Sequence, residues 1–176
     1  LIRLSQDKLV EISPKRSTSV WCPTFDDAFE LYQMLLVLES GVIDQLIQCI
    51  TSQQLNELRV HTQKEHTAHQ CGLVDEGDKL GRGFHSQLIS FLRNKTIDQI
   101  HAQLRRRDAL ISALYRVGFD YCKLRNEHVE LVSCLERKDA VAAKQLLASH
   151  YNLVIKGYKF DAARTPDVNL KFALKI

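Results

Sequence analysis

No proline interrupts the chain between Pro23 and Pro166, and glycine is sparse over the same span. Proline breaks a helix interior and glycine weakens one, so long helices are sterically permitted throughout. Leu, Ile and Val recur there at steps of three and four, the helical period, rather than in strict alternation. The chain is therefore expected to be all-α. Its 176 residues suffice for one main core, and a 45% hydrophobic and 26% charged composition is that of a globular protein and too apolar for a disordered one. A net charge of +3 is too mild to announce a nucleic-acid surface. The cysteines Cys22, Cys49, Cys71, Cys122 and Cys134 are scattered and contain no C-x-x-C, which argues against a disulfide framework or a cysteine zinc site. A reduced, cytoplasmic compartment suits them. No signal peptide is visible and no apolar run approaches the roughly 18–20 residues of a membrane span, so no membrane partner is expected.

The first 22 residues differ from the rest. Two strand-like runs, Leu9-Val10-Glu11-Ile12 and Thr18-Ser19-Val20-Trp21, flank a basic turn carrying Lys15 and Arg16. A lone hairpin of this size is marginal in water and must pack on something larger. Beyond Cys22-Pro23, Thr24 and Asp27 form a capping-box-like start for a first long helix, whose stripe runs Leu31, Leu35, Leu38, Val42 and Leu46 and which ends near Ile50. Thr51 caps a second helix that fades between His69 and Gly72. A third covers roughly 75–92, a fourth starts at a Thr96 cap and ends near Gly118, a fifth spans 121–137, and Asp139 caps a sixth that ends before Gly157. Residues 23–158 thus form the main helical domain, and a tail without clear periodicity covers 159–176.

Three histidines sit on apolar helix faces. His85 is in register with Gly81, Leu88 and Leu92; His128 with Tyr121, Leu124, Leu131 and Leu135; His150 with Ala143, Leu146, Leu147 and Val154. His128 and His150 each lie 11 residues from Asp139, at the turn between the fifth and sixth helices. Antiparallel helices with a rise of about 1.5 Å per residue bring both imidazoles to the same height, roughly 16 Å from that turn. A single inward histidine is more often a satisfied core residue than a ligand. Three together also fit a divalent metal, with an open position for a small molecule. Spacing alone leaves both readings standing. His61, His66 and His69 are read as surface residues and His101 as packed beside its helix stripe. In Arg105-Arg106-Arg107, Arg107 falls on the stripe between Leu104 and Ile111, where a buried guanidinium demands an anionic partner, either a protein carboxylate or a bound acid.

Phe84-His85, Arg93-Asn94, Glu127-His128, Lys138-Asp139 with Ala142-Ala143, and His150 together resemble the FadR-type C-terminal domain (FCD) of GntR-superfamily transcription regulators. Leu38-Glu39 agrees with a Leu-Glu common in that family. Leu1 to Leu4, Leu9 to Ile12, Pro14 and Val20 are similar to the end of the recognition helix and the wing of the superfamily's winged helix-turn-helix. The resemblance implies an antiparallel bundle of six or seven helices after the remnant hairpin. It also implies a homodimer that contacts operator DNA through the full N-terminal domain and binds a small effector, often a carboxylic or sugar acid. His85, His128 and His150 would be the ligands of a divalent metal: zinc, with nickel and manganese as alternatives. Asp78 and Arg107 would face the effector, and Lys15 and Arg16 would belong to the DNA-binding wing.

Two departures bear on this picture. The family's ligand aspartate, one turn before the first histidine, is Gly81 here, and Asp78 is a further turn away, which leaves a site without metal as an alternative. The arginine usual four residues before the Glu39 position is Leu35, which leaves Arg107 as its substitute. A pocket without metal, serving dimerisation or protein contact, is the alternative reading. A metalloenzyme is disfavoured, since there is no H-E-x-x-H, no Glu-x-x-His pair and no evident general base beside the histidines.

Overall fold

The computed structural model describes residues 4, 5, 7–12 and 18–160. Lys15 and Arg16, and all of the tail beyond residue 160, lie outside the described residues. Among those described there are two short strands, β1 (Val10–Ile12) and β2 (Thr18–Val20), and six helices: α1 (Phe25–Leu46), α2 (Ser52–Gln70), α3 (Val74–Ser90), α4 (Lys95–Tyr115), α5 (Tyr121–Glu136) and α6 (Ala140–Lys156). The strands pair antiparallel with Val10 opposite Val20 and Ile12 opposite Thr18. No helix among the described residues is long and apolar enough to cross a membrane.

The helix starts follow from local chemistry. Thr24 with Asp27, and Thr51 with Gln54, form reciprocal capping boxes at α1 and α2. Asp120 and Asp139 accept backbone N–H bonds at the starts of α5 and α6. α4 is capped by Asn94 rather than Thr96, because the Asn94 carboxamide reaches both Thr96 N and Ile97 N. α3 has no side-chain cap, and Asp75 and Glu76 in its first turn offset the exposed N–H groups. Gly72, at φ 71°, takes the left-handed turn that ends α2.

α1 packs on α4 and α6, α2 on α3 and α5, α3 on α4, and α5 on α6. The core runs through all of these, with Leu35, Ile43, Leu46, Leu58, Phe84, Leu88, Leu110, Ile111 and Leu135 fully buried. Each such side chain contributes about 1.5–3 kcal/mol of burial. The hairpin is not isolated: Leu9 joins the same core, Asp7 accepts two bonds from Arg106 (2.8 and 3.0 Å), and Trp21 lies under the Arg107 guanidinium at 4.5 Å.

α2 and α3 meet closely because α3 is bare where α2 crosses it. The imidazole of His69 rests where a Cβ on Gly77 would sit, whereas a Cβ on Gly81 would stand 3.3 Å from Glu65 Oε1. Gly77→Ala should therefore destabilise the fold by about 1–2 kcal/mol net in urea unfolding, although alanine favours helix by about 1 kcal/mol. A more stable Gly77→Ala variant would show that the His69 ring simply swings aside.

Candidate metal and effector site

The three inward histidines converge. His85 from α3, His128 from α5 and His150 from α6 are all buried, and one nitrogen from each lies within 4.8 Å of the others. Nε2 of His85 stands 3.2 Å from Nε2 of His150 and 3.2 Å from Nε2 of His128. The equal spacing of His128 and His150 from Asp139 is realised, with ring centroids 4.6 Å apart.

The opposite edge of each ring meets a buried carboxylate. Nδ1 of His85 is 2.8 Å from Glu39 Oε2, Nδ1 of His128 is 2.9 Å from Glu65 Oε2, and Nδ1 of His150 is 3.1 Å from Glu127 Oε2. An ionised carboxylate only accepts, so each ring carries its proton on Nδ1 and donates it there. Three Nε2 lone pairs then face one another with no proton between them, an arrangement that a cation relieves. Burial pushes His85 well below the usual imidazole range and lowers His150, with Glu39 and Glu127 respectively opposing it, so both rings are held neutral. Burial would raise the Glu39 carboxyl, but His85 and Arg105 outweigh it and hold it well below the carboxylate range.

This donor set fits a divalent metal. Metal–nitrogen bonds of about 2.0–2.1 Å separated by about 100° place two imidazole nitrogens about 3.2 Å apart, the spacing found here. The Nδ1 carboxylates are the outer partners that fix tautomer and ring orientation in such centres. A metal held there supplies a Lewis-acid contact for an oxygen ligand entering from the adjoining space.

That space is a cleft, partly open to solvent, bordered by the histidines, Tyr32, Arg82, Phe119, Leu124, Val154 and Tyr158. Asp78 lines it, but Arg116 and Ser112 hold its carboxylate, and it is not among the residues grouped with the histidines. Burial raises the Asp78 carboxyl, against the opposing pull of Arg116 and Arg82.

Arg107 does not border the cleft; it turns outward onto Trp21, and Arg105 enters instead. The Nη2 of Arg105 donates to Glu39 Oε1 (2.7 Å) and Tyr151 Oη (2.6 Å), and its Nη1 to Asp108 Oδ2 (3.1 Å). Asp108 also accepts from Tyr32, whose hydroxyl is 2.8 Å from that of Tyr158. His101 is more than packed: its Nε2 lies 2.9 Å from Glu39 Oε1. His61, His66 and His69 are all half-buried rather than surface residues; His61 reaches the Leu80 carbonyl at 2.7 Å, and His69 borders the cleft, stacked on Tyr121.

The structure is thus a six-helix bundle enclosing three histidines with their carboxylates, beside a cleft partly open to solvent. The family model of the FCD domain matches residues 30–153. The chain therefore belongs to the FCD domain family. Solved structures with this fold include Streptococcus agalactiae GntR, at 19% identity and a TM-score of 0.65, covering 88% of this chain and 78% of that one. E. coli McbR/YncC matches at 18% identity and a TM-score of 0.72, covering 88% of this chain and 79% of that one. No curated protein sequence matches.

Proposed function

We propose that this chain is the effector-sensing part of a dimeric, ligand-responsive DNA-binding transcription regulator. In this reading residues 1–22 derive from its winged helix-turn-helix, His85, His128 and His150 hold a divalent metal, and a small acid enters the cleft beside them. The observation that carries it is the convergence of three buried Nε2 atoms, each ring fixed from behind by a carboxylate. Charge supports it as well. Around the cleft the buried carboxylates Glu39, Glu65, Asp78, Asp108 and Glu127 outnumber the guanidinium groups of Arg82, Arg105 and Arg116 by two, Asp7 being paired with Arg106 elsewhere, and a divalent cation offsets that excess.

The donors of Arg105 are engaged by Glu39, Asp108 and Tyr151. Arg82, at the cleft border and 3.8 Å from Asp78, is better placed to meet an anion. Asp7 and Trp21, which flank the hairpin, contact Arg106 and Arg107, so the N-terminal segment packs on the helix that carries Arg105.

The test is thermal melting with one equivalent of Zn²⁺, Ni²⁺ or Mn²⁺ and a panel of small carboxylic and sugar acids. A matching acid at about 100 times its Kd stabilises by about 2.7 kcal/mol, a rise of roughly 5–10 °C. Arg82→Ala should erase most of the acid-dependent rise and keep the metal-dependent one. An acid response unaltered in Arg82→Ala would remove that residue from the effector site.

A further inference from the structure

We infer that Gly81 and Glu65 are a matched pair: the bare position on α3 admits the α2 carboxylate that orients His128. Restoring a carboxylate at position 81 is then expected to weaken metal binding instead of completing the centre. The inference rests on the reading of His85, His128 and His150 as a metal site.

Gly81 lies one turn before His85 on the same face of α3, where a side chain would point toward the histidines. That space is narrow. A Cβ on Gly81 would stand 3.3 Å from Glu65 Oε1 and 3.8 Å from the His128 ring. Glu65 is 2% exposed, and its other oxygen holds His128 Nδ1 at 2.9 Å. The α2 carboxylate thus crosses α3 over the glycine and stops behind the ring, on the edge away from Nε2. Among the described residues no carboxylate joins the histidines as a metal-holding group. Glu65 therefore acts as a positioning residue, fixing the His128 tautomer from outside.

An aspartate at 81 meets two obstacles. Its Cβ pushes on Glu65 at a separation tighter than ordinary van der Waals contact. Its charge faces the Glu65 charge in a buried setting, where like charges disfavour each other strongly. Glu65 yields, His128 loses its Nδ1 acceptor, and an orienting contact of this kind is worth about 10–100-fold in metal affinity.

The experiment measures zinc dissociation constants by competition with a chromogenic chelator for the wild-type chain, Gly81→Asp, Gly81→Asn and the double variant Gly81→Asp/Glu65→Gln, with circular dichroism to check the fold. Gly81→Asp is expected to bind zinc about 10–100-fold more weakly than wild type. The double variant, with the repulsion removed and an amide oxygen still able to accept from His128, recovers at least tenfold. A Gly81→Asp chain that binds as tightly as wild type, or more tightly, overturns the pairing, and so does a double variant no better than Gly81→Asp. Should Gly81→Asp not fold, Gly81→Asn fills the same space without charge, and wild-type zinc affinity in that variant overturns the inference. Zinc binding in the wild type with an unexpected variant order defeats the pairing alone; no zinc binding in the wild type defeats the metal site as well.

Discussion

His128→Ala and His150→Ala are each expected to abolish stoichiometric zinc binding while keeping the helical circular dichroism spectrum. Each removes one of three converging Nε2 donors. Loss of an outer partner costs about 10–100-fold in affinity, so loss of a ligand itself costs more than about 100-fold. The fold survives because the core around the rings is continuous through every helix. It is weakened, since Glu65 or Glu127 loses the donor that holds it, and an unsatisfied buried acceptor costs about 1–3 kcal/mol. His66→Ala serves as the control and leaves zinc affinity unchanged. Equilibrium dialysis with elemental analysis checks both; a His128→Ala chain that still holds one zinc removes that residue from the centre.

Arg105→Met should produce the largest loss of stability among single substitutions at the site. Its guanidinium neutralises Glu39, which is 0% exposed, and Asp108, which is 3% exposed. Truncating one partner of a buried pair leaves an uncompensated charge and costs about 3–5 kcal/mol, a fall of roughly 6–20 °C in melting temperature. Since Glu39 also fixes His85, zinc affinity should fall with it. Arg107→Met, which removes the contact with Trp21 and the attraction of Asp27 and Glu30 at a half-buried position, should cost no more than about 1 kcal/mol. Differential scanning calorimetry separates the two, and equal losses would mean that Arg105 is not the inward charge.

The contrast between these arginines shows where the sequence was legible and where it was not. The helices were readable because their caps are local: Thr24, Thr51 and Asp139 announce their own starts. The histidines were readable because they interrupt apolar stripes. Arg105 was missed because α4 turns a polar stripe inward, His101, Arg105, Asp108, Ser112 and Tyr115, beside the apolar one that carries Leu110 and Ile111. Periodicity seeks the apolar face, and here the charges of the site share the interior with it.

The same reasoning should have found the carboxylates. Glu65 lies on the buried stripe Leu55, Leu58, Thr62 and Ala68 of α2, and Glu39 lies between Leu35 and Val42 on α1. An acid on such a stripe is as costly as the guanidinium that drew attention at Arg107. What no single-helix pattern carries is the pairing across helices, which acid stands behind which ring, because it depends on the way α2 crosses the bare face of α3 at Gly77 and Gly81.

The most direct test of the account is the metal content of the purified chain after incubation with excess Zn²⁺ and removal of free metal. One zinc per chain, displaced only by a strong chelator, is the expected result. A chain that retains none, with His85, His128 and His150 intact, would contradict the metal centre and leave the cleft as a metal-independent pocket or a dimerisation core.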